Sequence, residues 1–253
     1  MKLATWNVNS LKVRLEQVLS WLSAHDIDIL ALQETKMVDA DFPVEAFTAC
    51  GYSAIFTGQK TYNGVAIISR SQPQDVMTDI PDADDPQRRF LAATVNGIRC
   101  INLYVPNGAA VGTDKYHYKL AWLEKVIRFL QQELQRYSKV AVVGDFNIAP
   151  TDKDVHDPAV WEGCVLVSAP EREAFFQMLA LGLKDSYREA TPEGQAFSWW
   201  DYRAAGFRRN LGLRIDHILL SHALYAECRQ VGVDSTPRKA ERPSDHAPVW
   251  VEI

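Results

Sequence analysis

Apolar residues in this chain come in short, nearly unbroken runs, and the runs end in polar clusters. Residues 3–8 predict a first strand. From Arg14 to His25 the apolar positions Leu15, Val18, Leu19 and Leu22 recur every three to four residues, which predicts a helix with one buried face. Ile27 to Leu32 is almost continuously apolar, the pattern of a strand covered on both faces, and it ends in Gln33-Glu34-Thr35-Lys36. Phe42–Cys50 predicts a short helix stopped by Gly51, with strands over Tyr52–Thr57 and Gly64–Ser69. Phe90–Val95 and Ile98–Val105 flank Asn96-Gly97, a strong hairpin signal.

Further along, Asp114 is placed to cap a helix running to Tyr137, whose inner face carries Leu120, Leu123, Val126, Ile127, Leu130 and Leu134. Lys139–Gly144 reads as another buried strand and Arg172–Leu181 as a helix. Strands over Phe197–Tyr202, Leu213–Ser221, Arg229–Asp234 and Ala247–Ile253 complete the chain. Helices interleaved with hairpins point to an α/β fold of two packed mixed sheets with helices outside, rather than to a purely parallel sheet. No linker, low-complexity tract or short repeat divides the chain, so residues 1–253 are expected to form a single domain.

Composition narrows this little. At 47% hydrophobic, 253 residues suffice for one large core. No stretch approaches the ~20 apolar residues that cross a bilayer, and the N-terminus reads as a strand rather than a signal segment. A soluble, cytoplasmic protein is therefore expected, and a monomer is the expected state. The four cysteines lack metal-finger or redox spacing and are expected to be reduced. A net charge of −5 argues against a protein wrapped in nucleic acid by its overall field, although local basic groups can still meet DNA.

The polar clusters carry the chemistry. Glu34 emerges from a buried strand, where a carboxylate suits a hard divalent ion; a solvated loop glutamate is the plainer alternative. In Gly144-Asp145-Phe146-Asn147, Asp145 and Asn147 stand two apart, so in an extended loop both face one way. One could then take a proton from water while the other holds that water, although an Asx-turn would satisfy the same pattern. Ser244-Asp245-His246 precedes the last strand, and an aspartate such as Asp216 beside His246 would fix its tautomer and favour imidazolium. His217 would point to the opposite face of its strand and ranks below His246. There is no Gly-x-Ser-x-Gly elbow, His-Glu-x-x-His or phosphate-binding loop with lysine, so serine hydrolase, zincin and P-loop chemistry lose ground.

Taken in order, Thr5-Trp6-Asn7-Val8-Asn9, Leu32-Gln33-Glu34-Thr35-Lys36, Gly144-Asp145-Phe146-Asn147, Phe197-Ser198-Trp199-Trp200, Gly212-Leu213-Arg214-Ile215-Asp216 and Pro243-Ser244-Asp245-His246 resemble the exonuclease III family of apurinic/apyrimidinic endonucleases. The resemblance covers essentially the whole chain. It implies a four-layer αββα sandwich and a Mg²⁺-dependent (or Mn²⁺-dependent) DNA repair nuclease. Its partner would be duplex DNA carrying an abasic site or a 3′ end. It implies Glu34 as the main metal ligand, with Asn7 arranging the site and Asn9 and Asp245 flanking a second metal position. Some relatives carry an aspartate where this chain has Asn9, and an amide binds a cation less strongly. Tyr104, Asn107 and His246 would contact the scissile phosphate, and Asp145 and Asn147 would activate and orient water. Asp216 would pair with His246, and either Asp145 or the His246–Asp216 pair would be the general base. Trp199 and Leu213 match the walls of the sugar pocket, while Lys60, Arg88, Arg89, Arg203, Arg208 and Arg209 are candidate phosphate contacts.

Two other readings compete. A phosphatase or phosphodiesterase of the same fold could act on a small molecule or lipid headgroup, but it needs neither the Gln87-Arg88-Arg89 run nor the tryptophan loop. A non-catalytic DNA-binding scaffold would not need the acidic set near phosphate.

Overall fold

The computed structural model describes residues 1–81 and 83–253. The first half runs β1 (Lys2–Asn7), α1 (Leu11–His25), β2 (Ile29–Gln33), α2 (Val44–Ala49), β3 (Ser53–Thr57), β4 (Val65–Ser69), β5 (Gln74–Met77), β6 (Phe90–Val95) and β7 (Ile98–Tyr104). The second runs α3 (Asp114–Arg136), β8 (Val140–Asp145), α4 (Pro158–Trp161), α5 (Ala169–Ala180), β9 (Leu183–Asp185), α6 (Ser186–Ala190), β10 (Trp199–Trp200), β11 (Gly212–Leu213), β12 (Asp216–Ser221), α7 (His222–Tyr225), β13 (Gln230–Val233) and β14 (Val249–Glu252). Two six-stranded mixed sheets result, ordered β13-β14-β1-β2-β4-β3 and β5-β6-β7-β8-β12-β9. β1 lies parallel to β2, and β7 to β8; α1 and α3 are the helices of those two crossovers.

The unbroken apolar runs follow from the layering. Successive side chains of a strand point to opposite faces. Ile29 and Ala31 of β2 join Val143 and Ile218 between the sheets. Leu30 and Leu32 of the same strand pack outward on Val18 and Leu22 of α1. On the other side Ile101 and Val142 meet Trp122 and Val126 of α3 and Phe175 of α5. The expected αββα sandwich is what forms. None of the helices among the described residues is long and apolar enough to cross a membrane.

Several expected boundaries move, each for a local reason. The long helix is capped by Thr113, whose Oγ1 accepts from the Tyr116 N–H at 3.3 Å, so Asp114 becomes its first helical residue. The helix expected from Arg172 starts at Ala169, where Ser168 and Glu171 form a reciprocal capping box. Of the expected strand Phe197–Tyr202 only Trp199–Trp200 forms, paired with Gly212–Leu213. Leu213–Ser221 is broken at Arg214-Ile215, because the Ser198 hydroxyl accepts the N–H groups of Ile215 and Asp216, each at 3.0 Å. Edge strand β5 is largely exposed and carries no apolar run to betray it.

Strand pairing gathers the polar clusters at one rim. Asn7 pairs with Gln33, and Asp145 pairs with both Tyr104 and Asp216. Gly144 has φ of 140°, and a Cβ there would lie 1.9 Å from the Leu103 carbonyl oxygen, so only glycine lets β8 approach β7 just before Asp145. Between the sheets, the Gln33 amide donates to Thr5 Oγ1 and Asn102 Oδ1, both at 2.8 Å, tying the end of β2 to β7.

Candidate active site

Asn7 is the hinge of the cluster. Its Nδ2 donates to Glu34 Oε1 and to Asp145 Oδ2, both at 2.9 Å. One ligand atom each from Glu34, Asp145 and His246 lies within 4.8 Å of the others. These three residues come from β2, β8 and the approach to β14, far apart in the chain, and the sheets bring them together. Glu34 sits at φ 52° just past its strand, turned out of the ladder into a half-buried position.

Asp145 uses its two oxygens differently. Oδ1 accepts the Asn147 N–H at 2.9 Å, closing an Asx-turn, while Oδ2 takes Asn7 and lies 3.7 Å from His246 Nε2. The catalytic and the turn readings of this motif are therefore compatible. The extended loop expected between Asp145 and Asn147 is not formed: Asn147 is left-handed at φ 49°. Its Oδ1 accepts from Asn107 Nδ2 and its own Nδ2 donates to the Val105 carbonyl, each at 3.0 Å.

His246 Nδ1 lies 2.8 Å from Asp216 Oδ2. Burial alone would lower the imidazole pKa, but the carboxylates of Asp216 and Asp145 outweigh it and lift the group to about 10. His246 is thus an imidazolium at neutral pH with Nε2 aimed at Asp145. Burial pushes Asp145 up to about 7, against the pull of His246. Tyr104 is raised well above the ordinary phenol range, first by burial and then by Glu34 and Asp145, so it stays an O–H donor. Arg89 stacks over its ring at 4.6 Å.

Glu34 and Asp145 offer carboxylate oxygens, held side by side by the Asn7 Nδ2 that donates to both, and hard oxygens of this kind fit a hard divalent cation. The second expected position differs. Asp245 accepts from Asn9 Nδ2 at 2.9 Å and from Trp199 Nε1 at 3.0 Å, so both its oxygens are engaged. Lys36 Nζ pairs with Glu34 Oε2 at 2.8 Å and also bonds Asn9 Oδ1, placing an ammonium between Glu34 and Asn9. Sequence reasoning gave Lys36 no role, although its place two residues after Glu34 was a usable signal.

The rim is less uniform than the sequence suggests. Trp200 is core, packed with Phe197 and Ala247, while Trp199 is half-buried against Asp245. Leu213 is fully buried, packed with Val155, Leu166, Val167 and Trp161 from the segment between β8 and α5, so it presents no open apolar surface. Arg88 is paired with Asp79 and Arg203 with Asp201; Lys60, Arg208 and Arg209 are exposed and have no ion pair among the described residues. A cleft of about 540 Å³ beside Asn107 is lined by Tyr62, Arg89 and Lys115.

Residues 4–246 match the Endonuclease/Exonuclease/phosphatase family. The chain is 35% identical over 266 residues to exodeoxyribonuclease III of Haemophilus influenzae, with all of both chains covered. Its fold superposes with a TM-score of 0.99 on NExo, a 3′ phosphatase from Neisseria solved bound to a product DNA hairpin, at 50% identity over 100% of this chain and 99% of that one. An AP endonuclease from Archaeoglobus fulgidus follows at a TM-score of 0.97 and 38% identity, over 100% and 99% of the two chains. With the whole length matched and the rim of polar strand ends in place, the chain belongs to the Endonuclease/Exonuclease/phosphatase family, in its exodeoxyribonuclease III branch.

Proposed function

We propose that this protein is a metal-dependent DNA repair nuclease that hydrolyses phosphate esters at the 3′ ends of duplex DNA. The observation that carries the reading is the meeting of Glu34, Asp145 and His246 within 4.8 Å around the Asn7 amide. Mg²⁺, held by Glu34 with Asn7 arranging its carboxylate, would neutralise charge on the phosphate and on its leaving oxygen. Asp145 is the proton acceptor for the attacking water: its carboxyl is lifted to about 7, and its Oδ2 faces Asn7 and His246 in the cluster. Asn147, fixed by Asn107 and Val105, orients that water. His246 enters as a cation and supports the developing negative charge together with the Tyr104 hydroxyl. The proton leaves water for Asp145, the P–O bond opposite the attack breaks, and the leaving oxygen takes up a proton from solvent.

Preference for ends over internal abasic sites follows from Leu213. The apolar wall that would receive a flipped-out sugar is covered by Val155, Trp161, Leu166 and Val167. A 3′ terminus can reach the phosphate site without that pocket. Lys60, Arg208 and Arg209, with the Tyr62–Arg89–Lys115 cleft, are candidates for holding the duplex through its phosphates.

The test is a parallel digestion of three duplexes: one with a recessed 3′ end, one with a 3′-phosphate and one with an internal abasic analogue. Each is run with Mg²⁺ and with EDTA. Mg²⁺-dependent release from both 3′ ends, faster than incision at the abasic analogue, is expected. Faster abasic incision would remove the end preference, and no metal-dependent product from any duplex would remove the nuclease reading.

A further inference from the structure

We propose that Lys119 is a positioning residue that sets Asn107 and Asn147, the two amides of the site, from behind; this rests on the nuclease reading above. Lys119 lies on α3, and its side chain and that of its partner Glu171 are both 0% exposed. Its ammonium donates to the backbone carbonyls of Asn147 at 2.6 Å and Asn107 at 3.2 Å, and to Glu171 Oε1. Three separate segments are thus tied by one cation. No backbone N–H among the described residues reaches either asparagine carbonyl, so the lysine supplies the donors these loops lack.

Glu171 completes the clamp. It accepts the N–H groups of Leu166 at 3.0 Å and Ser168 at 3.1 Å, fixing the end of the loop that covers Leu213. Burying an ammonium removes the water that stabilises its charge, and burial does lower the Lys119 pKa against the pull of Glu171. A protein seeking stability alone could fill this space with an apolar pair. Charge is needed because two carbonyls and a carboxylate must be drawn to one point. Gly108 leaves room for it: a Cβ there would sit 3.1 Å from the Lys119 stem. Asn147 is left-handed, so the direction of its amide depends on where its own carbonyl is held.

The experiment compares wild type with Lys119→Met and with Lys119→Met/Glu171→Gln, which removes both buried charges. Measured for each are thermal unfolding, kcat and KM on the recessed 3′-end duplex with Mg²⁺, and the side-chain amide NMR signals in the absence of DNA. The double variant is expected to recover the melting temperature lost in the single one. Its kcat is expected to stay about 10- to 100-fold below wild type, with KM within about threefold, because a misplacement of ~1 Å can cost that much. The Asn107 and Asn147 amide signals should shift while that of Asn7 stays in place. A double variant that folds and turns over within about twofold of wild type, or whose Asn107 and Asn147 signals do not move, overturns the proposal. So does failure of both variants to fold, which would make Lys119 a stability residue only. Absence of cleavage by wild type itself would instead count against the nuclease reading, and the amide signals would still decide this one.

Discussion

Two buried histidines, His246 and His217, each lie in the field of nearby aspartates, yet they are held in opposite protonation states. His246 meets Asp216 and Asp145 and is lifted to about 10. For His217 burial is the first influence, then the Arg214 guanidinium, and together they overcome Asp185 and Asp154 to press it down to about 4. Arg214 donates to Asp154 at 2.7 Å and to both oxygens of Asp185 at 2.7 and 3.0 Å, consuming their charge. It also donates to His217 Nδ1 at 3.0 Å, so the neutral ring accepts there and donates from Nε2 to the Ile148 carbonyl at 2.9 Å. Asp216 and His217 are neighbours on β12 and face opposite ways, so one strand separates a site left short of cations from one already neutralised. A shortage of cations beside carboxylates is what a divalent metal ion fits.

Removing the cation should convert the second cluster toward the first. In Arg214→Met, Asp154 and Asp185 lose their buried partner, and a loss of about 3–5 kcal/mol in urea unfolding is expected, as for a broken buried ion pair. In the same variant the His217 pKa should move up, read from its ring protons by NMR. A variant as stable as wild type, with His217 still near 4, would show that Arg214 does not set the contrast.

Next in size is the loss of the cation-poor site's own groups. His246→Ala, Asp145→Asn and Glu34→Ala are each expected to lower cleavage by about 10²–10³, the usual cost of one preorganised electrostatic group, with circular dichroism unchanged. Asp216→Asn should fall in the same range with an altered pH profile, since it leaves His246 without its main counter-charge. Near-wild-type cleavage by Asp145→Asn would remove its role as proton acceptor.

The two histidines also predict opposite pH limbs of stability. His217 has a folded pKa near 4 against an ordinary 6.5, so the unfolded chain binds more protons in between. Its contribution is complete above 6.5 and is lost as pH falls through 4, on the order of 3 kcal/mol. His246 runs the other way in metal-free protein: its contribution is complete below 6.5 and drains as pH rises through 10. Urea unfolding across pH should therefore show His217→Gln flattening the acid limb and His246→Gln the alkaline one. A single limb flattened by both would mean the clusters are coupled through β12.

Legibility in the sequence follows the same division. Glu34, Asp145, Asn147 and His246 could be found because each ends or begins an apolar run, and strand ends in packed sheets converge. The sandwich could be found because runs apolar on both faces require cover on both. The neutralising residues could not. Arg214 reaches Asp154 and Asp185, 60 and 29 positions away, in a short turn and at the end of the three-residue strand β9, neither of which any periodicity marks. Lys119 lies on a helix whose leucine spacing announces only a buried face, and nothing in that spacing says that a charge is buried with it. Leu213 looked like an open wall because the loop over it carries no pattern.

The smallest effects should lie at the rim, where the same question of prior pairing decides the outcome. Arg203 is chelated by Asp201 through Nε and Nη2, and Arg88 is held by Asp79. A phosphate must displace those carboxylates, so Arg203→Ala should change KM for duplex DNA by less than about twofold, as for most exposed pairs. Arg208 and Arg209 have no such partner among the described residues. Replacing both with alanine should raise KM several-fold at low salt and leave kcat in place. It should also reduce the slope of log affinity against log salt by about 2, because each arginine that neutralises a phosphate releases about one counterion. Equal slopes in the two variants would mean that carboxylate pairing at the rim does not govern which arginines meet DNA. The rule that separates His246 from His217 inside the protein would then stop at its surface, where water screens each charge before a partner can.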